Sequence, residues 1–179
     1  MRKLNNSELK RITVDEFKKT KKHPIVVVLD NIRSAQNVGS IFRTCDAFLI
    51  KKIYLCGICP TPPSNEIRKS ALGSTNSVEW SYETKTQSVI EKLIQDGYHI
   101  VGVEQVENST KIEDFKSTKP TALIFGHEVE GINQKIIDLC NETVEIPQHG
   151  TKHSLNISVC AGIIIWKTML LLKLSLIHI

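Results

Sequence analysis

Three short segments carry the residue types that could do chemistry. The first, Val144–Trp166 (VEIPQHGTKHSLNISVCAGIIIW), reads as an apolar strand, a polar loop and a very apolar helix. Pro147 and Gly150 stop the strand, and Ser154, Leu155 and Asn156 open the helix, with Ser154 either its N-cap or a substrate or phosphate ligand. A glycine-containing loop feeding free helix N–H groups beside polar side chains suits a small-molecule site. The second, Asn37–Asp46 (NVGSIFRTCD), holds Arg43 between apolar Phe42 and Cys45. An arginine on a largely buried helix needs a partner, and Glu128 or Asp46 could supply a structural ion pair. The third, Leu123–Ile132 (LIFGHEVEGI), sets Glu128 between Gly126 and Gly131, which let backbone approach a ligand or simply shape a turn.

The elements that must position these segments follow from hydrophobic patterning. Pro24–Asp30 (PIVVVLD) is the continuous apolar run of a strand buried on both faces of a parallel sheet. Further strands are expected at 53–56, 78–82, 98–103, 121–125 and 143–146. Helices are expected at 38–48, 66–72, 132–140 and from 155 onward. One more, with Val89, Ile90, Leu93 and Ile94 inward, is expected behind a Thr84/Gln87 capping box and closed by Gly97. Alternating strands and helices give an α/β fold with a mostly parallel sheet and helices on both faces. Ligands in such sheets sit beyond the carboxyl ends of strands, and the three segments follow strands 25–29, 121–125 and 143–146. Their loops should therefore share one edge and build the site.

Other chemistries lose support. No GxGxxG follows the first strand, and neither GxxxxGK[ST] nor GxSxG occurs. Cys56-Gly-Ile-Cys59 has CxxC spacing without a second pair or histidines at zinc-finger distances, so buried apolar thiols are expected rather than a metal. His127, His149 and His153 fall near the expected site, but 149 and 153 flank a loop glycine, which favours local hydrogen bonding over metal ligation. The odd count of five cysteines and the lack of a signal peptide indicate a reducing, cytoplasmic setting. Residues 1–22 carry eight Lys/Arg against three Asp/Glu, while the whole chain totals only +4. All the basic excess thus lies in this N-terminal segment, a solvated helix or frayed arm, or an electrostatic guide for a polyanion. The apolar 161–179 run nears the length of a membrane span, about 20 residues. Lys167 and Lys173 interrupt it, so a core helix leading into a subunit contact fits better than a membrane. The terminal LLLKLSLIHI reads oddly for a natural surface end.

In order and spacing the three segments resemble the signature motifs of the SpoU (TrmH-like) RNA 2′-O-ribose methyltransferases of the SPOUT superfamily. Asn37, Gly39 and Arg43 match the first motif; Gly126, Glu128 and Gly131 the second; Ile146, Pro147, Gly150, Ser154, Leu155 and Asn156 the third. Lys69–Gly73 (KSALG) resembles a further segment near the family's site, and Gln148–His149 departs from the Met that many members carry after the proline. Length fits one domain over 1–179 with the basic segment at 1–22, and the resemblance implies a core at 24–172 whose C-terminal part forms a deep trefoil knot. It implies S-adenosylmethionine as cofactor, held by Gly126, Gly131, Ile146, Gly150 and Leu155, and no metal. Catalytic roles fall to Arg43, Asn37, Glu128, Ser154 and Asn156. Arg43 would stabilise the developing alkoxide and orient the adjacent phosphate, since a guanidinium pKa above about 12 disfavours a general-base role. The implied substrate is a ribose 2′-hydroxyl in tRNA, ahead of rRNA, and the implied assembly a homodimer with the C-terminal helix at its interface. The rival readings are a non-catalytic RNA-binding or cofactor-sensing module on the same fold, and a small-molecule methyltransferase, which the basic arm disfavours.

Overall fold

The computed structural model describes residues 1–175. In chain order the elements are α1 (Val14–Lys19), β1 (His23–Asp30), α2 (Ala35–Ala47), β2 (Ile50–Cys56), α3 (Asn65–Ala71), β3 (Trp80–Glu83) and α4 (Thr86–Gln95). They continue as β4 (His99–Val103), β5 (Thr110–Lys111), β6 (Thr121–Phe125), α5 (Gln134–Ile137), β7 (Glu142–Glu145) and α6 (Ile157–Ser175). Among the described residues seven strands form one sheet in the order β3-β2-β1-β6-β4-β7-β5. Every neighbouring pair runs parallel, so all carboxyl ends share one edge.

β1 lies at the centre, paired with β2 and β6, and its residues from Ile25 to Asp30 are all buried. That burial explains its unbroken apolar run. Ile25, Val27 and Leu29 point into a core shared with α2, α3 and α6, while Val26 and Val28 meet α4 and α5 on the other face. Helices thus cover both faces of a parallel sheet, as the alternating pattern requires.

Several boundaries differ from the sequence reading, each because a tertiary partner overrides local preference. The Thr84/Gln87 capping box does not form: α4 starts after Lys85 with no side-chain cap. The Thr86 hydroxyl donates instead to the buried Asp30 carboxylate, and Gln87 Nε2 donates to Glu91 Oε1 at 2.8 Å. The helix expected over 132–140 contracts to the four residues of α5, capped by Asn133 and followed by Asn141 N donating to Ile100 O at 2.9 Å. The two-residue β5 is too short to leave a periodic signal.

The basic N-terminal segment folds in part. Thr13 and Glu16 form a capping box at the start of α1, and Phe17 is buried in the core at 3% exposure. α6 is long and apolar enough to cross a membrane by length and composition. Here Ala161, Ile164, Ile165, Thr168 and Leu172 are buried in a helix packed against α2 and β1. Residues 176–179, the last part of the unusual C-terminal run, lie outside the described residues.

α2 and α3 touch through Gly39. A Cβ there would stand 2.5 Å from Ile67 O and 2.1 Å from Ser70 Oγ; the hydroxyl can turn away, but the carbonyl belongs to the helix. Gly39→Ala should therefore cost about 1–3 kcal/mol through overpacking. Thermal unfolding should show a clearly lower Tm; an unchanged Tm would refute the close-contact account.

Candidate active site

The loops that leave β1, β6 and β7 at the common carboxyl edge meet through side chains far apart in sequence. Asn37 Nδ2, in the first turn of α2, donates to Glu128 Oε1 at 3.1 Å. Asn156 Nδ2, just before α6, donates to Asn37 Oδ1 at 3.1 Å. Glu128 also accepts from the backbone N–H groups of Arg33 (2.9 Å) and Ser34 (3.0 Å). Burial opposes charge on this carboxylate, but the amide donors of Arg33 and Ser34 outweigh it. They hold the group below the usual carboxylate range. The Cys59 thiol braces the same loop, accepting from Ile32 N at 3.1 Å and donating to Leu29 O at 3.2 Å. Burial pushes that thiol up to about 11, as expected of a packed rather than reactive cysteine.

After β6 the chain turns back through reciprocal backbone bonds between His127 and Gly131, of 3.1 and 2.9 Å. Gly131 has φ +69°, and a Cβ on it would meet Glu104 Oε2 at 2.3 Å. A Cβ on Gly126 would stand 2.4 Å from Gly131 C. The glycines are required by this fold of the turn. Glu104, at the end of β4, accepts from Ile132 N at 3.0 Å, and Gln105 Nε2 donates to His153 O at 2.8 Å. β4 thus ties down both the β6 and the β7 loops. Sequence reasoning missed Glu104 and Gln105, although both directly follow an apolar strand at the edge where ligands bind.

A cavity of about 690 Å³ opens between these loops, its wall including Gly126, Gly131, Ile146, Ser154, Leu155 and Asn156. Glu104, Glu128 and Glu130 line it, with no lysine or arginine among the described residues. A smaller cavity of about 370 Å³ lies beyond Glu128 and Val129, which face both spaces; Asn37, Arg33 and Ser34 complete its wall. His127 also lines the larger cavity, and its Nδ1 accepts from the amides of Val129 and Glu130, both at 3.1 Å.

Three of the expected site residues take other positions or local roles. Arg43 lines neither cavity: it is exposed, because the buried stripe of α2 runs through Val38, Ile41, Phe42 and Cys45 and leaves residue 43 on the opposite side. It is paired with neither suggested carboxylate. Glu128 is taken up by Asn37 and the two amides, and Asp46 accepts from Ser77 Oγ. Ser154 is not the N-cap of α6. That position belongs to Asn156, whose Oδ1 accepts from Ser158 N at 2.9 Å and Val159 N at 3.4 Å. Gly150 lines a separate cavity of about 460 Å³ with His149, and a Cβ there would meet nothing within 4 Å.

Solved structures share this architecture. The A. aeolicus TrmH/SpoU tRNA modifying enzyme superposes with a TM-score of 0.81 at 23% identity, over 92% of this chain and 85% of that one. The SpoU methyltransferase AviRb of Streptomyces viridochromogenes, in complex with the cofactor AdoMet, gives 0.76 at 25% identity, over 86% and 62%. Both define a parallel α/β fold of the SPOUT methyltransferase class. The chain belongs to the SpoU rRNA methylase family, whose model matches residues 24–166. By sequence it is 28% identical over 162 residues to a tRNA (guanosine(18)-2′-O)-methyltransferase of Aquifex aeolicus, covering 89% of this chain and 74% of the relative. It is also 29% identical to the mitochondrial rRNA methyltransferase 1 of Dictyostelium discoideum, of which it spans only 28%.

The lowered Glu128 carboxyl makes stability depend on pH with a definite sign. Its contribution is fully present above the unfolded value of about 4.3 and is lost as pH falls through the lower folded value. Glu128→Gln should therefore be less stable than the parent at neutral pH, with the gap closing below about pH 4. Thermal melts across pH decide this; a gap that stays constant into acid would contradict it.

Proposed function

We propose that this chain methylates a ribose 2′-hydroxyl of RNA, with tRNA ahead of rRNA, using S-adenosylmethionine. The observation that carries the reading is the Glu128–Asn37–Asn156 chain, set in a wall between an acidic cavity and a smaller one. S-adenosylmethionine supplies a methyl group already activated on a cationic sulfur, so the protein needs to bind, orient and exclude water. The larger cavity fits such a group. Its three glutamates favour a cation, Ile146 and Leu155 offer apolar walls, and Gly126 and Gly131 bring backbone close. The names of the relatives, tRNA and rRNA methyltransferases, support the substrate class.

Asn37 and Asn156 hold one another and Glu128 in register, and Ser154 is exposed at the cavity rim, where its hydroxyl can meet substrate. Arg43 stabilises the alkoxide and orients the phosphate; from its exposed position it can be met by RNA or by a second copy of the chain. A homodimer supports that arrangement. Val159, Ile163 and Trp166 form an exposed apolar stripe on α6, at 51, 39 and 49% exposure, beside Gly162, which leaves the surface flat. Buried free thiols at Cys45, Cys56 and Cys59 suit a cytoplasmic location. We also assign one domain to 1–179, with 24–172 as a knotted core. Support comes from the interleaved strand order, in which β6 enters between β1 and β4 before α6 returns across β1.

The position of Arg43 outside both cavities favours a second reading, a non-catalytic RNA-binding module on the same fold. Transfer of tritiated methyl groups into bulk tRNA and rRNA from cells lacking the protein separates the two. The expected product is a 2′-O-methylated nucleoside, and binding of RNA without transfer would overturn the enzymatic reading. In the same assay Arg43→Lys should lower kcat roughly a hundredfold or more, as loss of a donor to a developing oxyanion does; near-full turnover would exclude a fork-geometry role. Trp166→Glu should convert the dimer to monomers in sedimentation, whereas a parent that already sediments as a monomer would remove the dimer from the account.

A further inference from the structure

The arginine that lines the small cavity is Arg33, in the loop between β1 and α2. Its backbone is fixed, because its N–H donates to Glu128 Oε2 at 2.9 Å. Its side chain is exposed and enters no salt bridge among the described residues. The other polar groups of that cavity are already engaged. Ser34 Oγ accepts from Asn37 N at 3.2 Å, Asn37 spans Glu128 and Asn156, and Glu128 takes up three donors. Arg33 is therefore the group of this cavity left to recruit an anion.

We propose that Arg33 binds a backbone phosphate of the RNA strand and so seats the target ribose against the wall formed by Glu128 and Val129. The inference rests on the methyltransferase reading, which puts the methyl donor in the larger cavity. The nucleotide that presents its 2′-hydroxyl there carries its 3′-phosphate on the neighbouring ribose carbon. In an in-line transfer the 2′-oxygen stands between the methyl group and the rest of the nucleotide, so the proposal seats that phosphate away from the donor, in the smaller cavity that Arg33 lines. A guanidinium fork matches two phosphate oxygens at once, so the rotamer freedom lost on pairing is spread over two bonds. The two cavities then differ in charge: Glu104, Glu128 and Glu130 face the cationic donor, while the smaller cavity sets Arg33 against the shared Glu128, whose oxygens are already taken up by three donors. Val129, 82% exposed on the shared wall, offers an apolar edge to the sugar between them.

The test measures binding rather than turnover, so that it stands apart from the enzymatic reading. Filter binding of bulk tRNA, taken from cells lacking the protein, is followed as salt rises from about 50 to 200 mM. Arg33→Gln should weaken binding on the order of tenfold and reduce the slope of log affinity against log salt by roughly one, the signature of one lost phosphate contact. Arg33→Lys should restore the slope but not the full affinity. Titration calorimetry with S-adenosylmethionine should give one Kd for all three proteins. Equal slopes for Arg33→Gln and the parent would overturn the proposal, as would a parallel loss of cofactor binding, which would make Arg33 a loop-building residue. Absence of methyl transfer alongside a changed slope would instead remove the enzymatic reading and leave the phosphate contact standing.

Discussion

One carboxylate organises this end of the molecule. Glu128 stands where three loops from three different strands converge, and its oxygens are shared among two backbone amides and one side-chain amide. Its charge also falls at the N-terminal end of α2, where the helix dipole favours an anion. A partly buried carboxylate without those donors would be costly, and the amides of Arg33 and Ser34 would in turn lack acceptors. The arrangement works only because Gly126 and Gly131 fold the turn tightly enough to present residue 128, and because Glu104 clasps the far side of that turn.

The parallel sheet makes the convergence possible. With all seven strands aligned, every loop that can carry a functional side chain emerges on one edge, and the central pairing of β1 with β6 brings the first two motifs together. The third arrives through β7, two strands from β6. β4 lies between them and uses consecutive residues to bind one loop on either side: Glu104 toward the β6 turn, Gln105 toward the β7 loop. Three glutamates and, among the described residues, no lysine or arginine line the resulting cavity, which suits the cationic ligand proposed for it.

How much of this was legible depended on whether a residue's surroundings were local. β1 announced itself because burial on both faces demands an unbroken apolar run, and the shared edge followed from the alternation of strands and helices. The glycines of the second motif were readable as close-approach positions. The direction of Arg43 was misread because its apolar neighbours in sequence, Phe42 and Cys45, lie on a different side of the helix. Ser154 and Asn156 are both good caps, and nothing local chooses between them; the bond from Asn156 to Asn37, 119 residues away, does. The expected Thr84/Gln87 box likewise gives way at a helix start where Thr86 bonds Asp30, 56 residues earlier. Glu104 and Gln105 offer only their place just after an apolar strand, since their partners lie 28 and 48 residues further on.

The bond between Asn37 and Asn156 has a consequence for biosynthesis. A chain emerging from the ribosome exposes β1 and α2 early, yet their edge lacks its β6 and β7 neighbours until most of the polypeptide has been translated. Such non-local parallel pairing is intrinsically slow, and the unfinished sheet carries bare strand edges in the meantime. The ligand pocket is therefore among the later features to mature, because its wall is incomplete until the start of α6, up to Cys160, has been made.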